Sequence, residues 1–371
     1  MKAQSAGFRP ETGFVLKPGI APVAKKAAAP PKGTSAEELQ QILNQAKANI
    51  MVVGCGGAGC NTVSRIVTEG IKGAETVAVN TDAQDLLYTS ADRKILIGRD
   101  ITGGLGAGND PEKGEAAARA DEHSIKDHIY GSDMVFVTCG LGGGTGTGSA
   151  PVVAEIAKRM GALTIGVVTM PFTVEGSRRR KNADIGLEKL LAAADSVIVV
   201  PNDKILKLAP KLTLSEAFEL ADKVLNDGIK GVTELITVPG LVNLDFADMR
   251  AVLQNSGIAA VGIGESDTDN RAEDAVVNAL NSPLLDVDIT GAKGAIVNVI
   301  SADVSTAEYN KIVAKVSEAL DPAANVIPGA QLSSEMKRTV KVLVVLAGVH
   351  SPYVGPPAPK KEQVDLGLDL V

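Results

Sequence analysis

Gly142-Gly143-Gly144-Thr145-Gly146-Thr147-Gly148 is the stretch whose reading decides the fold. Before it stands Met134-Val135-Phe136-Val137, an apolar run that reads as a buried strand. After it comes Ala150-Pro151-Val152-Val153-Ala154-Glu155-Ile156, where Pro151 suits the first turn of a helix. Strand, glycine loop and helix together aim backbone N–H groups and a positive helix end at an anion, phosphate above all. The glycines keep Cβ atoms out of the way of a ligand, and Thr145 and Thr147 add hydroxyls that can donate to phosphate oxygens. A flexible linker is also glycine-rich, but it does not sit between a buried strand and a helix start.

Working outward, short apolar runs at 50–53, 77–79, 95–97, 134–137, 163–168 and 197–200 alternate with helix-like segments. Near-continuous apolar strands between amphipathic helices predict a parallel sheet covered on both faces. In such a sheet ligands collect at the carboxyl ends of the strands, and nearly every strand here ends in a loop with binding chemistry. The first runs into Gly54-Cys55-Gly56-Gly57-Ala58-Gly59-Cys60-Asn61, the second into Asn80-Thr81-Asp82-Ala83-Gln84, and the third into Gly103-Gly104-Leu105-Gly106-Ala107-Gly108. The fifth ends in Thr169-Met170-Pro171-Phe172-Thr173-Val174-Glu175-Gly176 and the sixth in Pro201-Asn202-Asp203. Gly54, Gly56 and Gly59 alone spell G-x-G-x-x-G, the dinucleotide fingerprint. A hydride-transfer enzyme needs one such loop, and that reading leaves the other glycine loops unexplained. Three loops point to a longer phosphate chain. No G-x-x-x-x-G-K-[ST] occurs, so backbone amides, helix ends and a metal ion, taken as Mg²⁺, must balance the charge.

From 214 to 237 a helical pattern runs on, weakened by Gly228 and Gly231, with the length of a connector between two domains. Beyond it, strand-like runs at 258–263, 295–300, 326–331 and 340–346 form a second unit without phosphate loops. The expected organisation is a basic, disordered extension over 1–33, a nucleotide-binding domain over 34–213, the connecting helix over 214–237, a C-terminal domain over 238–351 and a flexible tail over 352–371. Ser35-Ala36-Glu37-Glu38 has the form of a capping box and is expected to open a short helix.

These motifs carry a resemblance. GGGTGTG is the signature of the tubulin/FtsZ superfamily, and GxGGxGxN, NTDAQ, GAG, PFxxEG and PND follow in the family's order. Asn243-Leu244-Asp245-Phe246-Ala247-Asp248 is similar to the synergy loop of the FtsZ family, the prokaryotic cell-division GTPases. The match runs from about Asn49 to Pro352, and the segments Val326–Leu332 and Gly348–Pro352 look more like its archaeal branch. The fold class so implied is α/β, a Rossmann-like parallel-sheet GTPase domain joined by a long central helix to a smaller α+β C-terminal domain.

The resemblance implies a GTP site and assigns residues to it. Gly56, Gly57, Ala58 and Asn61 would line the first phosphate loop and the base, with Asn80, Asp82 and Asn202 also at the nucleotide. Gly106, Ala107 and Gly108 would approach the γ-phosphate, and Gly143, Gly144, Thr145, Gly146 and Thr147 would cradle the phosphate chain. Glu175 and Arg179 would contact ribose and base, whereas Arg178, Arg180 and Lys181 read as a solvated charge run. Phe218 and Asp222 match the family's guanine pair and, four apart, share one helical face. An aromatic ring stacks on a base, and a carboxylate accepts from the guanine N1 and N2 hydrogens that adenine lacks. Asp245 and Asp248 would act in trans, polarising water on the nucleotide of the next subunit, with Asn243 helping to position it. An N-cap role explains one aspartate without requiring both. Head-to-tail contacts of this kind build filaments, so the implied partner is a second copy of the chain. The bacterial anchor peptide is not recognisable; Val364–Val371 reads either as a docking peptide for a membrane adaptor or as a frayed tail, and mid-cell is the implied location.

Composition narrows the rest. A net charge of −7 argues against nucleic acid as a partner. No stretch approaches the ~18 apolar residues of a membrane span. Three cysteines without a CxxC imply neither disulfides nor zinc. The N-terminus has no apolar core of signal-peptide type, so the expected compartment is the cytoplasm. His123, His128 and His350 match no catalytic position. The alternative to a division scaffold is a tubulin-like GTPase of cell shape or regulation with weak hydrolysis, against which the complete synergy loop argues.

Overall fold

The computed structural model describes residues 48–71, 73–204, 213–238, 240–282, 285 and 287–350. The two tails and the helix expected after Ser35 lie outside the described residues. All ten strand-like runs are strands: β1 (Ile50–Cys55), β2 (Ala74–Asn80), β3 (Arg93–Leu96), β4 (Met134–Gly140), β5 (Leu163–Met170), β6 (Ser196–Pro201), β7 (Gly257–Ser266), β8 (Gly294–Ser301), β9 (Asn325–Leu332) and β10 (Val340–Ala347). Around them lie α1 (Gly56–Glu69), α2 (Ala83–Tyr88), α3 (Arg99–Thr102), α4 (Pro111–Ala120), α5 (Glu122–Ile129), α6 (Thr145–Arg159), α7 (Ser177–Ala193), α8 (Leu214–Thr237), α9 (Phe246–Leu253), α10 (Arg271–Leu280) and α11 (Thr306–Glu318).

The strands form one ten-stranded sheet in the order β3-β2-β1-β4-β5-β6-β7-β10-β8-β9. Its first six strands are parallel and run 3-2-1-4-5-6, the doubly wound order, with the reversal of direction between β1 and β4. The α/β fold class is thus as expected. The second unit continues the same sheet: β7 pairs parallel with β6 over Ser196↔Gly257 to Ile198↔Ala259, and β10 runs antiparallel between β7 and β8.

Alternation along each strand makes the two layers. Val53, Val135 and Val137 face one apolar core with Val152, Val153 and Ile156 of α6 and Leu187 and Leu190 of α7. Val52 and Phe136 face the other, with Val63 and Ile66 of α1 and the central helix α8. Successive strand side chains point to opposite faces, so continuous apolar runs are required where both faces are covered. Helix α8 buries Leu225, Ile229, Val232 and Leu235, a stripe at helical spacing. A reciprocal capping box between Thr213 and Glu216 starts it.

One local expectation fails. Pro151 does not open a helix; α6 begins at Thr145, so Pro151 stands inside it. The glycine loop is itself the first turn, made helical by tertiary packing against α4 that local propensity does not report.

That packing is close. A Cβ on Gly148 would stand 2.1 Å from the Pro111 carbonyl oxygen and 2.5 Å from the Glu115 nitrogen. Gly148→Ala is therefore expected to cost about 1–3 kcal/mol or more by overpacking, read as a lowered denaturation midpoint.

Candidate functional site

The carboxyl ends of β1, β4, β5 and β6 enclose a cleft of about 450 Å³ at the reversal point of the sheet. One wall is the start of α1, with Gly56, Gly57, Ala58 and Asn61; the facing wall is Gly143, Gly144, Thr145 and Gly146 at the start of α6. Neither helix start has a side-chain cap. Their first-turn N–H groups therefore remain open to an anion, reinforced by two helix dipoles. The two starts nearly touch: Gly56 has φ +68°, and a Cβ there would lie 2.7 Å from the Gly146 nitrogen.

The other end of the cleft suits a flat, polar-edged ring. Phe218 stands 39 % exposed on α8, its ring braced edge-on by Phe172 at 5.1 Å between centroids. One turn on, Asp222 also lines the cleft. Burial pushes its carboxyl up to about 6, against the pull of Arg65 and with help from Glu219. Glu175 and Arg179 form an ion pair at the rim, and Glu175 also accepts from the Phe172 amide at 2.8 Å. Asn202 lines the same region, and its buried Oδ1 has no partner within the protein, an acceptor left for a ligand.

The cleft brings together most of the nucleotide residues assigned from the sequence, but not all. Asn80 is buried beneath the second loop, where its amide donates to Asp85 at 2.7 Å and its Oδ1 accepts from the Thr81 amide at 2.9 Å. Asp82 caps α2 through Gln84 and Asp85 and bridges to Leu105. Gly106, Ala107 and Gly108 lie beside the cleft wall rather than in it. A Cβ on Gly144 would stand 2.9 Å from that of Ala107. The Thr147 hydroxyl accepts from the Gly142 amide at 2.8 Å and closes the glycine loop from inside. The Thr145 hydroxyl lies 2.5 Å from that of Thr81, a tie between loops 64 residues apart that sequence gives no signal for. Leu141, Pro171 and Ala221 also line the cleft; as apolar residues they carried no chemical signal.

Asn243, Asp245 and Asp248 are elsewhere. Asp245 and Asp248 cap α9 reciprocally: Asp245 accepts from the Asp248 amide at 2.8 Å and Asp248 from the Asp245 amide at 3.1 Å. Local structure thus uses both aspartates, correcting the view that capping needs only one. Asn243 accepts from the Gly240 amide at 2.6 Å. Helix α9 sits at the opposite, amino edge of the sheet, where Arg250 donates to the carbonyl of Gly161 just before β5.

Burial pushes Cys55 and Cys60 up to about 12 and raises Cys139, so all three stay thiols. His123 pairs with Asp127, and His128 bonds the Ser124 carbonyl. Among the described residues no group of three or more His, Cys, Asp or Glu could hold a metal, and no helix is long and apolar enough to cross a membrane.

An open anion cradle beside an aromatic–carboxylate pair, on a doubly wound sheet, agrees with the comparison to known proteins. The family model for the Tubulin/FtsZ family, GTPase domain, matches residues 49–210, and that for the FtsZ family, C-terminal domain, matches 257–350. The chain belongs to the FtsZ family of tubulin-like GTPases. It is 57% identical over 337 residues to cell division protein FtsZ 1 of Pyrococcus horikoshii, covering 90% of this chain and 91% of that one. To cell division protein FtsZ of Methanothermobacter thermautotrophicus it is 56% identical over 318 residues, covering 85% and 84%. An empty FtsZ dimer of M. jannaschii superposes with a TM-score of 0.80 at 52% identity, covering 88% of this chain and all of that one. The FtsZ relationship makes the chain a GTPase, binding GTP and releasing GDP.

Asp222 gives a pH test. GTP affinity is expected to fall as pH drops through about 6, because a protonated carboxyl accepts poorly from guanine N–H groups. Stability of the unliganded protein should move the other way. The folded pKa lies above the ordinary 3.8, so the ionised form costs stability above about pH 6, and that cost fades as pH falls toward 3.8. Binding and thermal-melt titrations between pH 5 and 8, repeated on Asp222→Ala, check both signs; a flat affinity profile would remove Asp222 from the base site.

Proposed function

We propose that this FtsZ-family chain is a scaffold of cell division that polymerises head to tail and completes its GTPase site across the contact between two copies. The observation that carries this reading is the placement of acid groups. The walls suited to the phosphates, at Gly56, Gly57, Gly143, Gly144 and Gly146, include no carboxylate; the two beside them, Asp85 near Gly57 and Asp82 near Gly106, are engaged by the Asn80 amide and the start of α2. Within the cleft Glu175 is tied to Arg179 and to the Phe172 amide, and Asp222 stands on the wall with Phe218. Attack on a γ-phosphate needs a group that orients water. Asp245 and Asp248 have that chemistry but stand at the amino edge of the sheet, while Phe218 and Asp222 stand near the start of α8. That helix has 24 residues and spans about 36 Å, so one chain cannot bring both to one nucleotide.

Stacking the amino edge of one copy on the carboxyl edge of the next would bring them together. Leu105 and Val174 are 86% and 79% exposed around the cleft, and Leu241 is 61% exposed beside Asn243. Exposed apolar groups at both ends suit an interface. The M. jannaschii relative solved as a dimer supports self-association. Such a contact is heterologous, and it yields filaments when its rotation does not close.

In this mechanism the amides at the starts of α1 and α6 bind the phosphate chain, with the loop through Gly106, Ala107 and Gly108 beside its γ end. Phe218 stacks on guanine while Asp222 accepts from N1 and N2. Glu175, Arg179 and Asn202 hold ribose and base. Asp245 and Asp248 of the neighbouring copy polarise the water and Asn243 positions it. The neutral donors around the phosphates fit a Mg²⁺ carried on phosphate oxygens and water rather than in a protein cage. Such an ion would neutralise phosphate charge. The tail 352–371, outside the described residues, is proposed to dock a membrane adaptor through Val364–Val371 and so to hold the filament at mid-cell.

Hydrolysis rate against protein concentration, with Mg²⁺ present, tests the shared site. Turnover per chain should be near zero below a threshold and rise steeply above it; a line through the origin would make the site self-contained. Asp248→Ala should keep GTP binding and filaments while turnover falls by about 100-fold or more.

A further inference from the structure

Helix α9, which carries the two aspartates, is latched to the body of the molecule by two directional side-chain ties. The Arg250 guanidinium donates to the Gly161 carbonyl at 3.1 Å and lies 5.1 Å from the centroid of the Phe246 ring, at the start of the same helix. Just past the helix end, Asn255 accepts from Lys158 at 3.0 Å. Lys158 in turn donates to the Ala194 carbonyl at 3.1 Å and pairs with Asp195 at 3.2 Å, a carboxylate only 4% exposed. Asn255 is held in a left-handed conformation with φ +52°. Both ties land on the last turn of α6 or the two residues after it.

Helix α6 is the one whose first turn forms the phosphate wall of the cleft. Its 15 residues span about 22 Å, and it is buried almost continuously from Gly146 to Ala157. It is a rigid rod with the anion cradle at one end and the aspartate helix fastened to the other. The capping box fixes Asp245 relative to Asp248 but not the helix relative to the rest of the chain. Backbone bonds hold the chain on either side, Val242 with Ala330 and Gly257 with Asp195; over the helix itself, apolar packing of Met249, Val252 and Leu253 is non-directional and leaves its rotation to polar ties.

We propose that Arg250 is a positioning residue for hydrolysis in the neighbouring copy: with Asn255 as its counterpart, it locks α9 to the end of α6 so that Asp245 and Asp248 meet the next nucleotide in register. This rests on the shared-site reading above. Misplacing a catalytic group by about 1 Å costs on the order of 100-fold, so loosening the latch should act on turnover rather than on binding.

The test uses the full chain carrying Arg250→Ala, Arg250→Lys or Asn255→Gly. GTP affinity below the assembly threshold, filament mass by sedimentation, and kcat and KM of the filaments are measured for each. Arg250→Ala should leave affinity, filament mass and KM unchanged and lower kcat by about 10- to 100-fold, with Arg250→Lys recovering part of the loss. Asn255→Gly removes the Lys158 tie while its left-handed backbone suits glycine. It should melt no lower than the parent chain yet turn over more slowly, and it serves if Arg250→Ala fails to fold. Mixed filaments of Arg250→Ala and Asp222→Ala should turn over faster than either alone, because the second variant offers an intact α9 to the clefts of the first. Full kcat in Arg250→Ala and Asn255→Gly, a loss of GTP affinity equal to the loss of turnover, or no gain on mixing would overturn the proposal. Full turnover in Asp248→Ala filaments would overturn the shared site itself, a different outcome from an inactive Asp248→Ala beside an active Arg250→Ala.

Discussion

The convergence of two uncapped helix starts on one point is the constraint from which the rest follows. Gly56 and Gly146 bring the first turns of α1 and α6 so close that any side chain at either place would strike backbone. Both helices leave first-turn amides without side-chain caps, a cost that a polyanion relieves. The crowding explains the glycines better than flexibility does. Gly144 and Gly148 meet the α4 region, Gly146 meets β1, and Gly143 alone of these has open space around it. The loop is a packed junction with one face left to a ligand.

Sheet polarity then divides the chemistry. Parallel strands put every βα loop at one edge, and the doubly wound order opens the cleft between β1 and β4. The returning segments come back at the other edge, where Gly161 and Asp195 precede β5 and β6 and Gly257 opens β7. Helix α9 is fastened there. Two buried helices, α6 and α8, run between the edges on opposite faces of the sheet. A molecule built this way presents a nucleotide cradle on one end and a pair of carboxylates on the other. On the proposed reading, repetition of the chain joins the two ends.

What could be read in advance divides along the range of the interactions. Strand positions follow from apolar runs, and each run has its strand, most of them longer than the run because hydrogen bonding outlasts hydrophobicity. The long helix follows from its period, and the structure has it at Leu214–Thr237. The pair Phe218 and Asp222 is legible because both lie on one helix face. Asn80 and Asp82 sit in a motif beside the site, yet their side chains are spent on Asp85, Thr81 and the start of α2. In each case a hydrogen bond a few residues long competes with the ligand, and its outcome depends on side-chain direction, which a motif does not encode.

The amino-acid sequence by itself determined the alternation of strands and helices, the glycine loops at the strand ends, the pair Phe218 and Asp222 on one face of α8 and, through motif order, the family. These depend on period, on residue type and on spacing along a single element. Tertiary structure alone decided that both units share one ten-stranded sheet, that α6 starts inside the glycine loop, and that Asp222 is raised by burial. It alone placed Asp245 and Asp248 at the far edge from the cleft, with Arg250 reaching Gly161 across 89 residues of chain. Such contacts join segments that are remote in sequence, and their geometry exists only once the sheet has set which edge each loop occupies.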